Sequence, residues 1–170
     1  KKKIKSNWLH IDLDYSSNAI FTSNQHASEK FNNSSKYQNH ISIFQLLNLK
    51  IILIVIKDWI KLLYNGFFIK HLNLKSLKKQ CYLAPYIESD LKESIYGRSS
   101  LQNLFLYRLF EETFNIIPDQ KKCFFLQENQ GWEFGLIQSW SAQNKKNKLF
   151  GVPHSTVRFW DLRYFFDKKL

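Results

Sequence analysis

The chain has 170 residues, of which 44 % are hydrophobic and 16 % aromatic, enough apolar material for one α/β-sized core and too much for a disordered segment. Twenty-five basic against 14 acidic side chains leave a net charge of +11, but the lysines fall in separate clusters at Lys1–Lys5, Lys70–Lys79 and Lys145–Lys148. That scatter argues against nucleic acid as a partner; an anionic membrane surface or a phosphorylated donor would attract the charge, but solvated loops and helix faces are the most economical account of it.

Cys81 and Cys123 stand far apart with no CxxC or Cys/His spacing, which implies reduced thiols and a cytoplasmic setting. The sequence holds no methionine, begins on Lys1-Lys2-Lys3 and stops on Lys168-Lys169-Leu170, so the chain is expected to be a piece of a longer protein. The strongest apolar run, Ile51–Ile56, is far short of the ~20 residues of a spanning helix.

Asn7–Leu13 (NWLHIDL) alternates partially and reads as a short strand. Residues 16–39 are rich in Ser and Asn and read as a long loop, a flexible insertion in a single domain covering 1–170. From Ile41 to about Ile69 the pattern is helical, either one helix buried on a wide face or two broken near Asn65-Gly66, with a helix lying on a membrane surface as the rival. Gln80–Pro85 reads as a strand and Tyr86–Arg98 as a loop. Ser99 and Gln102 stand at capping-box spacing and open a helix carrying Leu101, Leu104, Phe105, Leu109 and Phe114, which Pro118 stops. Lys122–Gln127 is a strand, Gly131 to about Asn144 a helix with Trp132, Leu136, Ile137 and Trp140 on one face, and Lys148–Val152 a second strand. That succession is a βαβ unit with parallel strands.

Ligands of open parallel sheets bind beyond the carboxyl ends of the strands. The rule selects the loop Gln127–Gly131 and the stretch from Pro153 onward, and it puts Glu128 and His154 on one sheet edge. A carboxylate beside an imidazole can serve as an acid/base pair; equally, His154 can cap a turn and Glu128 can be solvated. After His154 the chain sets Arg158, Asp161 and Arg163 among Phe159, Trp160, Tyr164, Phe165 and Phe166. Arginines clamp phosphate or carboxylate and aromatic faces suit a sugar ring, although a hinge segment with internal ion pairs has the same composition. Asp12-Leu13-Asp14 is a DxD of the kind that holds a metal–diphosphate, a short and common pattern, and the sequence has no GxGxxG, P-loop, GxSxG or HExxH motif.

ENQGWE at Glu128–Glu133, together with GVPHSTVRFWDLRYF at Gly151–Phe165, resembles the paired signature of a bacterial surface-carbohydrate biosynthesis family of the O-antigen or capsule type. That family is similar to glycosyltransferases of the two-domain GT-B arrangement. The match covers Leu126–Asp167 and fades toward the helix at Ser99 and NWLH at Asn7. The resemblance implies a Rossmann-like parallel sheet with flanking helices, the N-terminal, acceptor-side half of a GT-B protein whose second domain lies beyond Leu170. It implies transfer of a sugar from a nucleotide donor to a glycan precursor, at the inner face of the membrane, with no cofactor and no metal. It places His154 and Glu128 in catalysis, with Asn129, Ser155, Thr156, Arg158, Trp160, Asp161 and Arg163 binding substrate. The complete protein would be the enzyme, and this piece alone inactive. His154 stands in PHS where related sugar-nucleotide enzymes carry a QHG-like turn, which leaves two rivals: a non-catalytic carbohydrate-assembly factor, and a sugar-nucleotide epimerase on the same fold.

Overall fold

The computed structural model describes residues 5–11, 28–34, 36–69, 84–143 and 146–153. Two parallel two-stranded sheets emerge from the sequence. Strand β1 (Ser6–His10) pairs with β2 (Gln38–Ser42), with Ser6 opposite Gln38 and His10 opposite Ser42. Strand β3 (Lys122–Gln127) pairs with β4 (Lys148–Pro153), with Lys122 opposite Lys148 and Gln127 opposite Pro153. The Asn7 side chain links the first pair to the segment that precedes β3: it donates to Gln120 Oε1 at 3.1 Å and accepts from Asn39 Nδ2 of β2 at 3.1 Å.

Parallel strands cannot be joined by a tight hairpin, so the chain between β1 and β2 has to cross over. The stretch read as a loop over 16–39 contributes to that crossover: residues 28–34 are helical, and Gln38-Asn39 already belong to β2. Asn32 fastens the helical segment to the strand, accepting from His40 N at 2.6 Å and donating to His40 O at 2.9 Å. The rest of that stretch, including Asp12 and Asp14, lies outside the described residues.

The helical reading from Ile41 begins too early. Ile41-Ser42 close β2, Ile43–Leu46 form a 3₁₀ turn, and helix α1 runs Leu49–Ile69. Asn48 starts α1 by accepting from Ile51 N at 3.0 Å, the usual work of an N-cap asparagine. The helix passes unbroken through Asn65-Gly66. Gly66 is needed there because the chain packs closely: a Cβ at this position would come within 2.4 Å of Ile95 Cγ2.

Ile95 belongs to helix α2 (Ala84–Tyr96), which occupies the stretch expected as a loop over Tyr86–Arg98. Ala84 and Pro85, the end of the strand expected over Gln80–Pro85, form its first turn, where the missing proline N–H costs nothing. The remainder of that expected strand lies outside the described residues.

Helix α3 (Arg98–Ile116) is the centre of the fold. The capping box expected from Ser99 and Gln102 is replaced by a contact with the preceding helix. Glu93 Oε1 accepts from Ser99 N at 3.3 Å and from Ser99 Oγ at 3.1 Å, and no side chain caps at Gly97. A carboxylate at a helix N-terminus satisfies exposed amides and suits the positive end of the helix dipole. Leu106, Leu109, Phe110 and Phe114 of α3 meet Ile51 and Val55 of α1, Ile43 of the 3₁₀ turn, and Leu136 and Trp140 of helix α4 (Gly131–Gln143). Leu9, Ile11, Cys123, Phe125 and Leu149 pack on this core from the strands. Arg108 ties α3 to α1, donating to Asp58 Oδ2 at 2.7 Å through Nε and to Glu111 Oε2 at 2.6 Å through Nη1. Burial works against its charge, but the bonds and charges of Glu111 and Asp58 outweigh it and hold the guanidinium above its ordinary value.

Candidate functional site

The βαβ reading of the last third is the expectation that the structure carries furthest. β3 and β4 are parallel, α4 joins them, and the paired residues Gln127 and Pro153 end the two strands at one level. The chain therefore leaves β3 at Glu128 beside the point where it leaves β4 for His154. Glu128 and Asn129 are placed at the carboxyl edge of a parallel sheet, the position that binds ligands in such folds. His154, Ser155, Thr156, Arg158, Trp160, Asp161 and Arg163 lie outside the described residues.

The loop from Glu128 to Gln130 owes its shape to Glu133, which is 5 % exposed. Its Oε1 accepts from Glu128 N at 2.7 Å and from Gln130 N at 2.9 Å. Glu133 is the third residue of α4 and reaches back to the residue before the helix, so it performs the acidic half of a capping box although no Ser or Thr stands at the cap. Asn129 has φ +61°, a left-handed conformation that Asn tolerates better than most residues. The Glu128–Glu133 motif thus encodes a fixed turn: left-handed Asn129, two backbone amides held by one buried carboxylate, and a helix start. That rigidity holds the backbone at Glu128 and Asn129 in one arrangement, which a binding loop requires.

Helix α4 sits close against α3 through small residues four apart. A Cβ at Gly131 would meet Asn103 Nδ2 at 2.6 Å, and one at Gly135 would meet the Tyr107 backbone at 3.2 Å. Ser139 continues the row, buried, with its Oγ donating to Gly135 O at 2.8 Å. Of the apolar face expected on α4, Leu136 and Trp140 are buried against α3 beside the small row, but Ile137 is exposed. The Trp132 ring lies between Phe110 and Phe125, and its buried indole N–H has no hydrogen-bond partner.

Sequence reasoning missed a second cluster, at the carboxyl end of β1. His10 Nε2 and His40 Nδ1 lie 2.9 Å apart, one ring donating and the other accepting. Phe31 stacks on His40 with ring centroids 5.0 Å apart, and Trp8 stacks on it at 6.0 Å. The alternation in NWLHIDL held the signal: Leu9 and Ile11 turn to the core, so Trp8 and His10 share the other face. That His40 would stand beside them depended on the register of a strand that the Ser/Asn-rich composition concealed.

Among the described residues no group of three or more His, Cys, Asp or Glu side chains is arranged to hold a metal ion. Cys123 packs on the core from β3, and burial pushes its thiol up to about 11, which favours the protonated form. The described elements define a mixed α/β protein with small parallel sheets. No protein-family profile, curated protein or solved structure matches the chain.

Proposed function

We propose that this chain is the acceptor-side part of a GT-B-like glycosyltransferase of surface-carbohydrate biosynthesis, which moves a sugar from a nucleotide donor to a glycan precursor. The observation that carries the reading is the register of β3 and β4. Because Gln127 pairs with Pro153, β3 and β4 end at one level of the carboxyl edge, with Glu128 following the first strand and His154 next in sequence after the second. That the two distinctive segments serve one site is the reading this register supports. In this reading His154 accepts the proton of the acceptor hydroxyl as the sugar is transferred, and Glu128 orients the imidazole. Asn129, Ser155, Thr156 and Trp160 line the acceptor side, Arg158 and Arg163 meet anionic groups, and Asp161 fixes the arginines. The donor would be held by a second domain following this one, and its phosphates need only side chains and helix N-termini.

The test is glycan production in cells that make the protein with His154→Ala or Glu128→Gln. The reading expects production to fall by roughly a hundredfold or more for His154→Ala, and less for Glu128→Gln. Undiminished production with His154→Ala would leave only a binding role in carbohydrate assembly. A changed sugar nucleotide formed by the purified protein without any acceptor would make it an epimerase instead.

A further inference from the structure

The outward face of α1 is apolar along its whole length, and the fold of the described residues does not use it. Leu49, Leu53, Ile56, Ile60, Tyr64 and Phe67 follow one another at steps of three and four residues, so they form one row, and each is 45–71 % exposed. Ile51 and Val55, on the opposite side of the helix, are the residues that enter the core. At about 1.5 Å per residue the 21-residue helix makes the row ~30 Å long. Contiguous exposed apolar surface of that extent marks an interaction site.

The charges on α1 say what kind of partner fits. Lys50, Lys57 and Lys61 are exposed and fall together on one flank of the row. The helix's one acidic residue, Asp58, turns inward to Arg108. The surface that α1 presents is thus apolar with a purely positive border. Tyr64, Phe67 and Phe68 make edge-to-face contacts at its C-terminal end and add the aromatic content that favours a membrane–water boundary. No helix among the described residues is long and apolar enough to cross a membrane, so this helix would lie along one. A second copy of the chain suits the row less well, because two such helices face to face would have no carboxylate on either to meet the lysines.

We propose that α1 is a docking helix for an anionic phospholipid bilayer, its apolar row entering the boundary between headgroups and acyl chains and its lysines lying against lipid phosphates. This goes beyond the sugar-transfer reading and does not depend on it. The test is flotation of the intact chain with vesicles of equal parts phosphatidylglycerol and phosphatidylcholine, and with phosphatidylcholine alone. The chain is expected to float with the anionic vesicles and to bind the neutral ones roughly a hundredfold less, since the three lysines gain only from an anionic surface. Leu53→Ser with Ile60→Ser changes no charge at two exposed positions and should weaken anionic binding about tenfold or more at unchanged helix content. Lys57→Gln with Lys61→Gln should weaken it similarly and flatten its salt dependence. The proposal is overturned if the chain does not float, if the serine pair binds as well as the parent, or if the chain is a dimer in solution that the serine pair dissociates.

Discussion

Helices α1 and α3 are of similar length and pack against each other, yet their sequences and their burial run in opposite senses. α1 is the more apolar, with Leu, Ile, Val and aromatics at most positions, but only a narrow side of it enters the core. α3 is mixed in character, with Arg, Gln, Asn and Glu along it, yet it supplies Leu106, Leu109, Phe110 and Phe114 to the centre of the molecule. The contrast teaches that apolar composition measures how much surface a segment would gain by leaving water, not where in the fold it goes. α3 is surrounded by α1, α2, α4 and the 3₁₀ turn, so a few apolar side chains in register are buried deeply. Among the described residues α1 has neighbours on one side, and the rest of its apolar surface is left exposed.

The largest effect that would break or sharpen this comparison comes from one truncation in each helix. Phe110→Ala empties a fully buried site and should cost about 3–5 kcal/mol in urea unfolding. Leu53→Ser, on the more apolar helix, should change stability by less than about 0.5 kcal/mol. Comparable costs at the two positions would mean that the row on α1 is folded against something. Next in size is the tie between the helices. Arg108→Met leaves Asp58 and Glu111 partly buried without their cation, and should cost about 1–3 kcal/mol by thermal unfolding, with Asp58→Asn costing less. No loss from Arg108→Met would make the ion pair incidental to the α1–α3 contact.

The smallest effect is chemical. Burial raises the Cys123 thiol from an ordinary 9.0 to about 11, so the folded state favours the protonated form. Its contribution to stability is complete below pH 9.0 and is lost as pH rises toward about 11. In a Cys81→Ser background, thiol modification should be slow at pH 8 in the folded chain and fast once urea unfolds it. Rapid modification of the folded chain would place β3 less firmly on the core that α3 organises.

The last third of the chain was legible because its signals are local. The strands Lys122–Gln127 and Lys148–Pro153 and the helix between them each carry their own pattern, and a parallel pairing follows from the connection. The edge that presents Glu128 follows in turn. What could not be read there was the part played by Glu133: a glutamate three residues into a helix looks solvent-facing until the loop folds back onto it. The middle of the chain was misread for the complementary reason. α2 mixes charged, polar and apolar residues without a clear stripe, and Ile95, buried among its described side chains, finds its place against Gly66 on another helix, while the cap of α3 comes from Glu93 rather than from Ser99 and Gln102. Both errors arise where a helix is completed by a contact outside its own sequence.

The sequence by itself determined where β3, α4 and β4 lie, and that they form a parallel unit with Glu128 at its carboxyl edge. Periodicity and connection length are properties of short stretches, and they survive without the rest of the fold. Only the tertiary structure decided that His40 stands against His10, that α4 approaches α3 by Gly131, Gly135 and Ser139, and that the outer row of α1 is left in water. Each of these depends on strand register or on which neighbour occupies a face. Those are set by the sum of many weak contacts between segments distant in the chain, and no single segment encodes them.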